Sequence, residues 1–179
     1  MLLPLRLTLH FAIFHTVRVF ARLAAVREEA NRVEAFLFEK NIAFLFELPV
    51  VLPDESIIIR SDRTKVQSVI SVLLENAVKY TPDGGRVTLT IDKANEPKRP
   101  KGSLYVSVAN TGEYIPPEDL AHIFDRFFRT DRSRNSETGG HGIGLSIAKE
   151  IARSLGGELT AASVPRADGG AINTFKLYL

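Results

Sequence analysis

The sequence predicts an α+β fold, a two-layer sandwich in which one mixed, mostly antiparallel sheet carries helices on one face. Three observations predict it. Strand-like and helix-like runs alternate along the chain without an internal repeat. Two strand-like runs adjoin at the C-terminal end, across a Pro/Gly-rich turn at Pro165 to Gly170. The chain has 179 residues, 45% hydrophobic and 25% charged, which suits one domain burying roughly 70% of its unfolded surface.

Residues 1–19 are apolar but interrupted by Pro4, Arg6, His10, His15 and Arg18. They read as an N-terminal arm, a buried strand or the remnant of an upstream element. No run reaches the ~20 apolar residues that span a bilayer, and signal-peptide features are lacking. From residue 20 the domain proper begins. Leu23, Val26, Ala30, Val33 and Leu37 recur at helical period, with charged residues between them. Asn41 ends that helix, and the following Ile-Ala-Phe-Leu-Phe-Glu-Leu reads as a strand closed by Pro49. Ser56 to Arg60 is a short β-branched strand, and Asp62 is placed to N-cap a helix running to Tyr80.

Thr81-Pro-Asp-Gly-Gly is a turn that feeds Arg86 to Lys93, whose strict alternation marks a half-buried strand. Ala94 to Gly102 holds two prolines and four charges, as a solvated hairpin loop does. Leu104 to Ala109 is the next strand, and Pro116-Pro-Glu-Asp-Leu opens a short helix. Arg129 to Gly140 is polar and glycine-ended, a mobile loop. Ile143 to Leu155 is a helix stopped by Gly156-Gly157, and the final two strands follow.

Composition excludes several classes of function. With no cysteine there are no disulfides, thiolate metal sites or cysteine nucleophiles. Lys plus Arg exceeds Asp plus Glu by 23 to 21, too little for the concentrated basic face of a nucleic-acid binder. Function must come from local patterns.

The first such pattern is Gly139-Gly-His-Gly-Ile-Gly-Leu-Ser, which opens the helix at 143. Alternate glycines let a backbone approach a bulky anion, and a helix N-terminus adds about half a positive charge. By itself this is equally a flexible loop. It lacks the Gly-Lys-Ser/Thr of a Walker A loop, and Ile147 stands where a dinucleotide fingerprint needs its third glycine.

Four blocks in chain order sharpen the picture: Leu73-Leu-Glu-Asn-Ala-Val-Lys-Tyr-Thr-Pro, Val108-Ala-Asn-Thr-Gly-Glu-Tyr-Ile-Pro-Pro, Ile123-Phe-Asp-Arg-Phe-Phe-Arg-Thr-Asp, and the glycine loop through Gly156-Gly-Glu-Leu. Together, over residues 20–179, they resemble the ATP-binding catalytic domain of sensor histidine kinases, of the GHKL superfamily. That resemblance implies the Bergerat-type ATP-binding fold, a magnesium-ATP site and transfer of the γ-phosphoryl group to a histidine. It also implies a dimerisation domain and a response regulator as partners, and a place in the cytoplasmic part of a membrane-anchored sensor. No nucleic acid and no membrane contact are expected of this segment itself.

Carried over residue by residue, the resemblance assigns magnesium to the amide oxygen of Asn76, on a helix whose other face is read as Val69, Val72 and Leu73. Lys79, three residues on, reaches for a phosphate, and Tyr80 packs near ribose or adenine unless it belongs to the core. Asn110, Gly112 and Ile115 line the base. Gly140, Gly142, Ile143, Gly144 and Leu145 approach the phosphates, and Arg129 the γ-phosphate. Lys79 and Arg129 are thus the catalytic candidates, and the loop from Thr130 to Gly140 is the ATP lid. Phe124, Phe127 and Phe128 follow helical spacing, so a core stripe is the plain reading of that block, and it is adopted for Phe124.

The chain departs from the family in three places. Asn110 replaces the aspartate that accepts from the adenine amino group, and Tyr114 replaces the second glycine of Asp-x-Gly-x-Gly. Val72 stands four residues before Asn76, where the family often has histidine or asparagine. The usual phosphoacceptor histidine also has no counterpart: only His10 and His15 precede the asparagine block, and neither is followed by an acidic residue. The expectation is a catalytic module inactive alone, whether fragment or standalone. A regulatory module without kinase activity is the competing reading, and the phenylalanine block argues against a serine kinase of the anti-sigma type.

Overall fold

The computed structural model describes residues 31–47, 61–94, 97, 103–129 and 142–179. The expected arm at 1–19, the start of the first helix and the strand at Ser56 to Arg60 lie outside the described residues. So do Gly140 and the loop from Thr130 onwards.

Residues 31–39 are helical (α1) and bury Val33 and Leu37. Asn41 takes a left-handed φ of 51°, a conformation asparagine tolerates better than most residues. The chain then enters β1 (Ala43–Glu47). Helix α2 (Arg63–Tyr80) starts at Asp62, whose carboxylate accepts from the Lys65 N–H at 3.1 Å, the N-cap expected from sequence. A turn leads to β2 (Arg86–Lys93), which lies parallel to β1, Phe44 opposite Val87. Parallel neighbours need a crossover, and α2 is part of it.

Strand β3 (Leu104–Gly112) is antiparallel to β2. It runs three residues past the expected end at Ala109. Pairing with the last strand continues through Asn110, Thr111 and Gly112, which face Asn173, Ile172 and Ala171. Asn110 and Gly112 are therefore held in the sheet. After the short α3 (Pro117–His122) comes α4 (Gly144–Ser154), then β4 (Glu158–Pro165) and β5 (Ala171–Tyr178). The sheet order is β1-β2-β3-β5-β4, with every pair after β1-β2 antiparallel.

The core lies between this sheet and the helices. Val69, Ile70, Leu73, Leu74, Ala77 and Val78 form one buried stripe of α2. They meet Val87, Leu89, Val106, Val108, Phe175 and Leu177 from alternate strand positions. Emptying one of the fully buried leucines to alanine costs about 2–5 kcal/mol in such cores. Among the described residues, no helix is long and apolar enough to cross a membrane.

The C-terminus of α2 is closed by a residue distant in sequence. The Lys40 ammonium donates to the carbonyls of Val78, Lys79 and Thr81 at 3.2, 3.4 and 3.2 Å. A cation there satisfies carbonyls that lack helical partners and opposes the negative end of the helix dipole. Replacing Lys40 with Met keeps the stem and removes the charge. The expected loss is about 1–2 kcal/mol, read as a lower Tm; an unchanged Tm would count against the cap.

Candidate functional site

The C-terminal half of α2, the end of β3 and the start of α4 meet on one side of the sandwich. Asn76 and Lys79 are half-buried and Tyr80 is 38% exposed. Tyr80 is thus not a core residue; its ring carries the Lys79 ammonium 4.9 Å from its centroid. The Tyr80 carbonyl lies so close to Gly112 that an added methyl there would stand 2.9 Å from it. Only glycine lets the strand end approach the helix at this distance.

On the other side, a methyl on Gly144 would sit 3.4 Å from a γ-carbon of Val72. At three, four and seven residues from Asn76, Leu73, Val72 and Val69 all lie on its side of the helix rather than on an opposite face, with Val69 and Leu73 fully buried and Val72 half-buried. Four residues apart on a helix, Val72 and Asn76 lie on adjoining turns of one side, and Val72 is turned toward α4. Helix α4 itself begins without a side-chain cap, one residue later than expected. The Ile143 carbonyl instead accepts from Ser146 Oγ at 2.7 Å and from the Ile147 N–H at 3.0 Å.

The segment before α4 is tied to the phenylalanine block. The Phe127 N–H donates to the Gly142 carbonyl at 3.0 Å. Both residues are left-handed, with φ of 65° and 67°. A side chain at 142 would meet the Phe128 carbonyl at 2.7 Å, so glycine is required there twice over. Half-buried Arg129 follows at once. The helical spacing of the three phenylalanines is not realised as a helix, because α3 ends at His122. Phe124 does join the core, edge-on to Phe175 at 6.4 Å, but Phe127 is 70% exposed.

At the end of the sheet, Asn110 is only 3% exposed and its amide nitrogen donates to the Thr111 carbonyl at 3.0 Å. Its cross-strand partner Asn173 was not anticipated. The Asn173 amide nitrogen donates to the Glu113 carbonyl at 2.9 Å, and its oxygen accepts from Ser163 Oγ at 2.6 Å. Ser163 Oγ in turn accepts from the Ile115 N–H at 3.0 Å. Glu113 and Ile115 are thereby anchored on both sides of Tyr114, which is 42% exposed. A signal was present: alternation puts Asn173 on the inward register with Ala171, Phe175 and Leu177. A polar residue in such a register needs a partner.

Asn76, Lys79 and Tyr80 of α2, Asn110 and Gly112 of β3, and Gly144 and Leu145 of α4 thus lie on three adjoining elements, whereas Ile115, Gly142, Ile143 and Arg129 lie in the segments between elements. A depression of about 330 Å³, lined by Phe124, Arg126, Lys149 and Arg153 among others, lies elsewhere on α4. Among the described residues, no cluster of three or more His, Asp or Glu could hold a metal. An octahedral magnesium ion usually takes one or two protein oxygens and fills the rest of its shell with phosphates and water. The single amide oxygen of Asn76 fits that role, and Val72 adds no ligand.

Residues 61–179 match the family described as histidine kinase-, DNA gyrase B-, and HSP90-like ATPase. The chain belongs to this family. It is 41% identical over 126 residues to the sensor histidine kinase WalK of Bacillus subtilis (strain 168), a match covering 70% of this chain and 19% of WalK. The chain therefore spans about a fifth of that relative's length. Among solved structures, the nucleotide-free catalytic domain of histidine kinase ThkA superposes with a TM-score of 0.64 at 28% identity, covering 87% of this chain and 92% of that one. Full-length ShkA in complex with AMPPNP superposes with a TM-score of 0.67 at 26% identity, covering 87% and 29%. The expected α+β sandwich with an open mixed sheet is the fold of this histidine-kinase-like ATPase domain.

Removing the Ser163 hydroxyl of this domain strands the Ile115 N–H and the Asn173 oxygen. Ser163→Ala should cost about 1–3 kcal/mol in chemical denaturation. Ser163→Thr, which keeps the hydroxyl, should recover most of that loss.

Proposed function

We propose that this chain is the ATP-binding catalytic module of a two-component sensor histidine kinase. In this reading it binds magnesium-ATP and passes the γ-phosphoryl group to a histidine on a separate dimerisation domain. The observation that carries the proposal is the meeting of the Asn76 side of α2 with the uncapped start of α4 through Val72 and Gly144. That contact brings the helix carrying Asn76 and Lys79 against the start of α4, which supports reading them as one phosphate site, and the family membership agrees with it.

Each residue then has a task. The N–H groups of Gly142, Ile143, Gly144 and Leu145, together with Gly140, hold phosphate oxygens. Lys79 adds a mobile positive charge. Asn76 holds magnesium, which when bound supplies charge neutralisation across the phosphates. Tyr80, Asn110, Gly112 and Ile115 enclose the ribose and base. Arg129 faces charge that spreads over the γ-phosphoryl oxygens as the bond to the β-phosphate oxygen breaks and the bond to the imidazole nitrogen forms. The chain's own contribution is positioning and electrostatics, and the nucleophile comes from outside.

The partners implied are the phosphoacceptor domain and a response regulator, with the module in the cytoplasmic part of a membrane-anchored sensor. Residues 1–19 are read as an arm ahead of the domain. Without its phosphoacceptor the module is inactive as a kinase.

Titration with ATP, with and without magnesium, tests the reading. Wild type should bind in the micromolar to millimolar range, more tightly with magnesium. Asn76→Asp should remove the magnesium dependence. Gly142→Val should abolish binding, since a β-branched residue at φ 67° also collides with Phe128. No binding at millimolar ATP would favour the regulatory reading that Asn110, Tyr114 and Val72 suggest.

A further inference from the structure

Resting on the nucleotide-binding reading above, the hydrogen bonds at the end of the sheet carry a statement about which bases the site admits. Asn110 is 3% exposed, and the bond from its side-chain nitrogen to the Thr111 carbonyl fixes which end of the amide is which. A carbonyl can only accept, so the nitrogen must face it. An aspartate at 110 in this pose would face that carbonyl oxygen to oxygen. The local bonding is therefore built for an amide.

Asn173 repeats the arrangement. Its nitrogen is committed to the Glu113 carbonyl and its oxygen to Ser163. The two amide nitrogens converge on Gly112, lying 3.1 and 3.2 Å from the place a methyl on that residue would occupy. At Gly112 the strand end thus presents amide groups where a carboxylate would carry charge. On Asn110 one amide hydrogen is used by Thr111, leaving the second hydrogen and the side-chain oxygen.

A carboxylate offers only lone pairs. It pairs with the 6-amino group of adenine and opposes the 6-oxo group of hypoxanthine or guanine. An amide offers one function to each: its oxygen accepts from the amino group, and its remaining N–H donates to the oxo group. We propose that this chain binds 6-oxopurine nucleoside triphosphates as well as ATP, with Asn110 as the residue that sets this breadth. The triphosphate contacts are common to all these ligands and do not discriminate among them.

Inosine triphosphate is the suitable probe, since it differs from ATP at position 6 without the added 2-amino group of GTP. Isothermal titration of the full chain with each nucleotide and magnesium should give dissociation constants within about tenfold of one another, because either base keeps a paired hydrogen bond. Asn110→Asp should widen the preference for ATP by at least about tenfold, through a charge-assisted bond to the amino group and repulsion of the oxo group. Wild-type binding of inosine triphosphate more than tenfold weaker than ATP overturns the proposal, and so does an unchanged ratio in the variant. The wild-type ratio decides by itself if the variant does not fold. Failure of wild type to bind ATP at all overturns the nucleotide reading as well, a result distinct from ATP binding with strict selection.

Discussion

Everything at the site depends on the burial of one stripe of α2. Val69, Ile70, Leu73, Ala77 and Val78 are fixed against the sheet, so the rotation of the helix about its axis is not free. The 3.6-residue period then determines where Val72, Asn76 and Lys79 emerge. Lys40 adds the axial constraint by holding the last carbonyls of the helix, and Thr81 Oγ bonds back to the Ala77 carbonyl at 2.6 Å. With rotation and end both set, the Tyr80 carbonyl meets Gly112, and α4 meets Val72 at Gly144. The polar side of α2 is placed by its apolar side.

The glycines act where backbones must touch. At Gly112 the strand end abuts a helix end, and at Gly142 the incoming chain crosses the carbonyl of Phe128. The second contact couples two sequence blocks, since the left-handed turn at Phe127 and the one at Gly142 are joined by a hydrogen bond. A non-glycine residue at positive φ carries strain that its surroundings must offset, and Phe127 bears it while 70% exposed. The same crossing brings the backbone of Phe127 and Phe128, just ahead of Arg129, against the segment that leads into α4.

Much of the fold was legible because its signals are periodic. The alternation in Arg86 to Lys93, the apolar spacing before Tyr80 and the Asp62 cap each reappear as the expected element. Asn76 and Lys79, read from one motif, come out on one helix as the spacing expects. Three features were hidden by distance or local geometry. Lys40 caps a helix about forty residues away, and helical spacing alone gives it no reason to point there. The continuation of β3 through Gly112 depends on pairing with Ala171, a partner far along the chain. The phenylalanine block has the spacing of a helix, but α3 stops at His122 and only Phe124 turns inward. Propensity cannot distinguish a third helical turn from a chain that must bend to reach Gly142.

The buried asparagines show how a neutral site can be as well ordered as a charged one. A carboxylate at the end of β3 would need donors to offset its desolvation, and the neighbouring carbonyls of Thr111 and Glu113 are acceptors. Two amides resolve this: each gives an N–H to a carbonyl, and the Asn173 oxygen takes the Ser163 proton while Ser163 takes the Ile115 N–H. That circuit fixes the segment carrying Tyr114 without any ion. Order at this end of the sheet therefore comes from neutral hydrogen bonds between amides, a hydroxyl and the backbone.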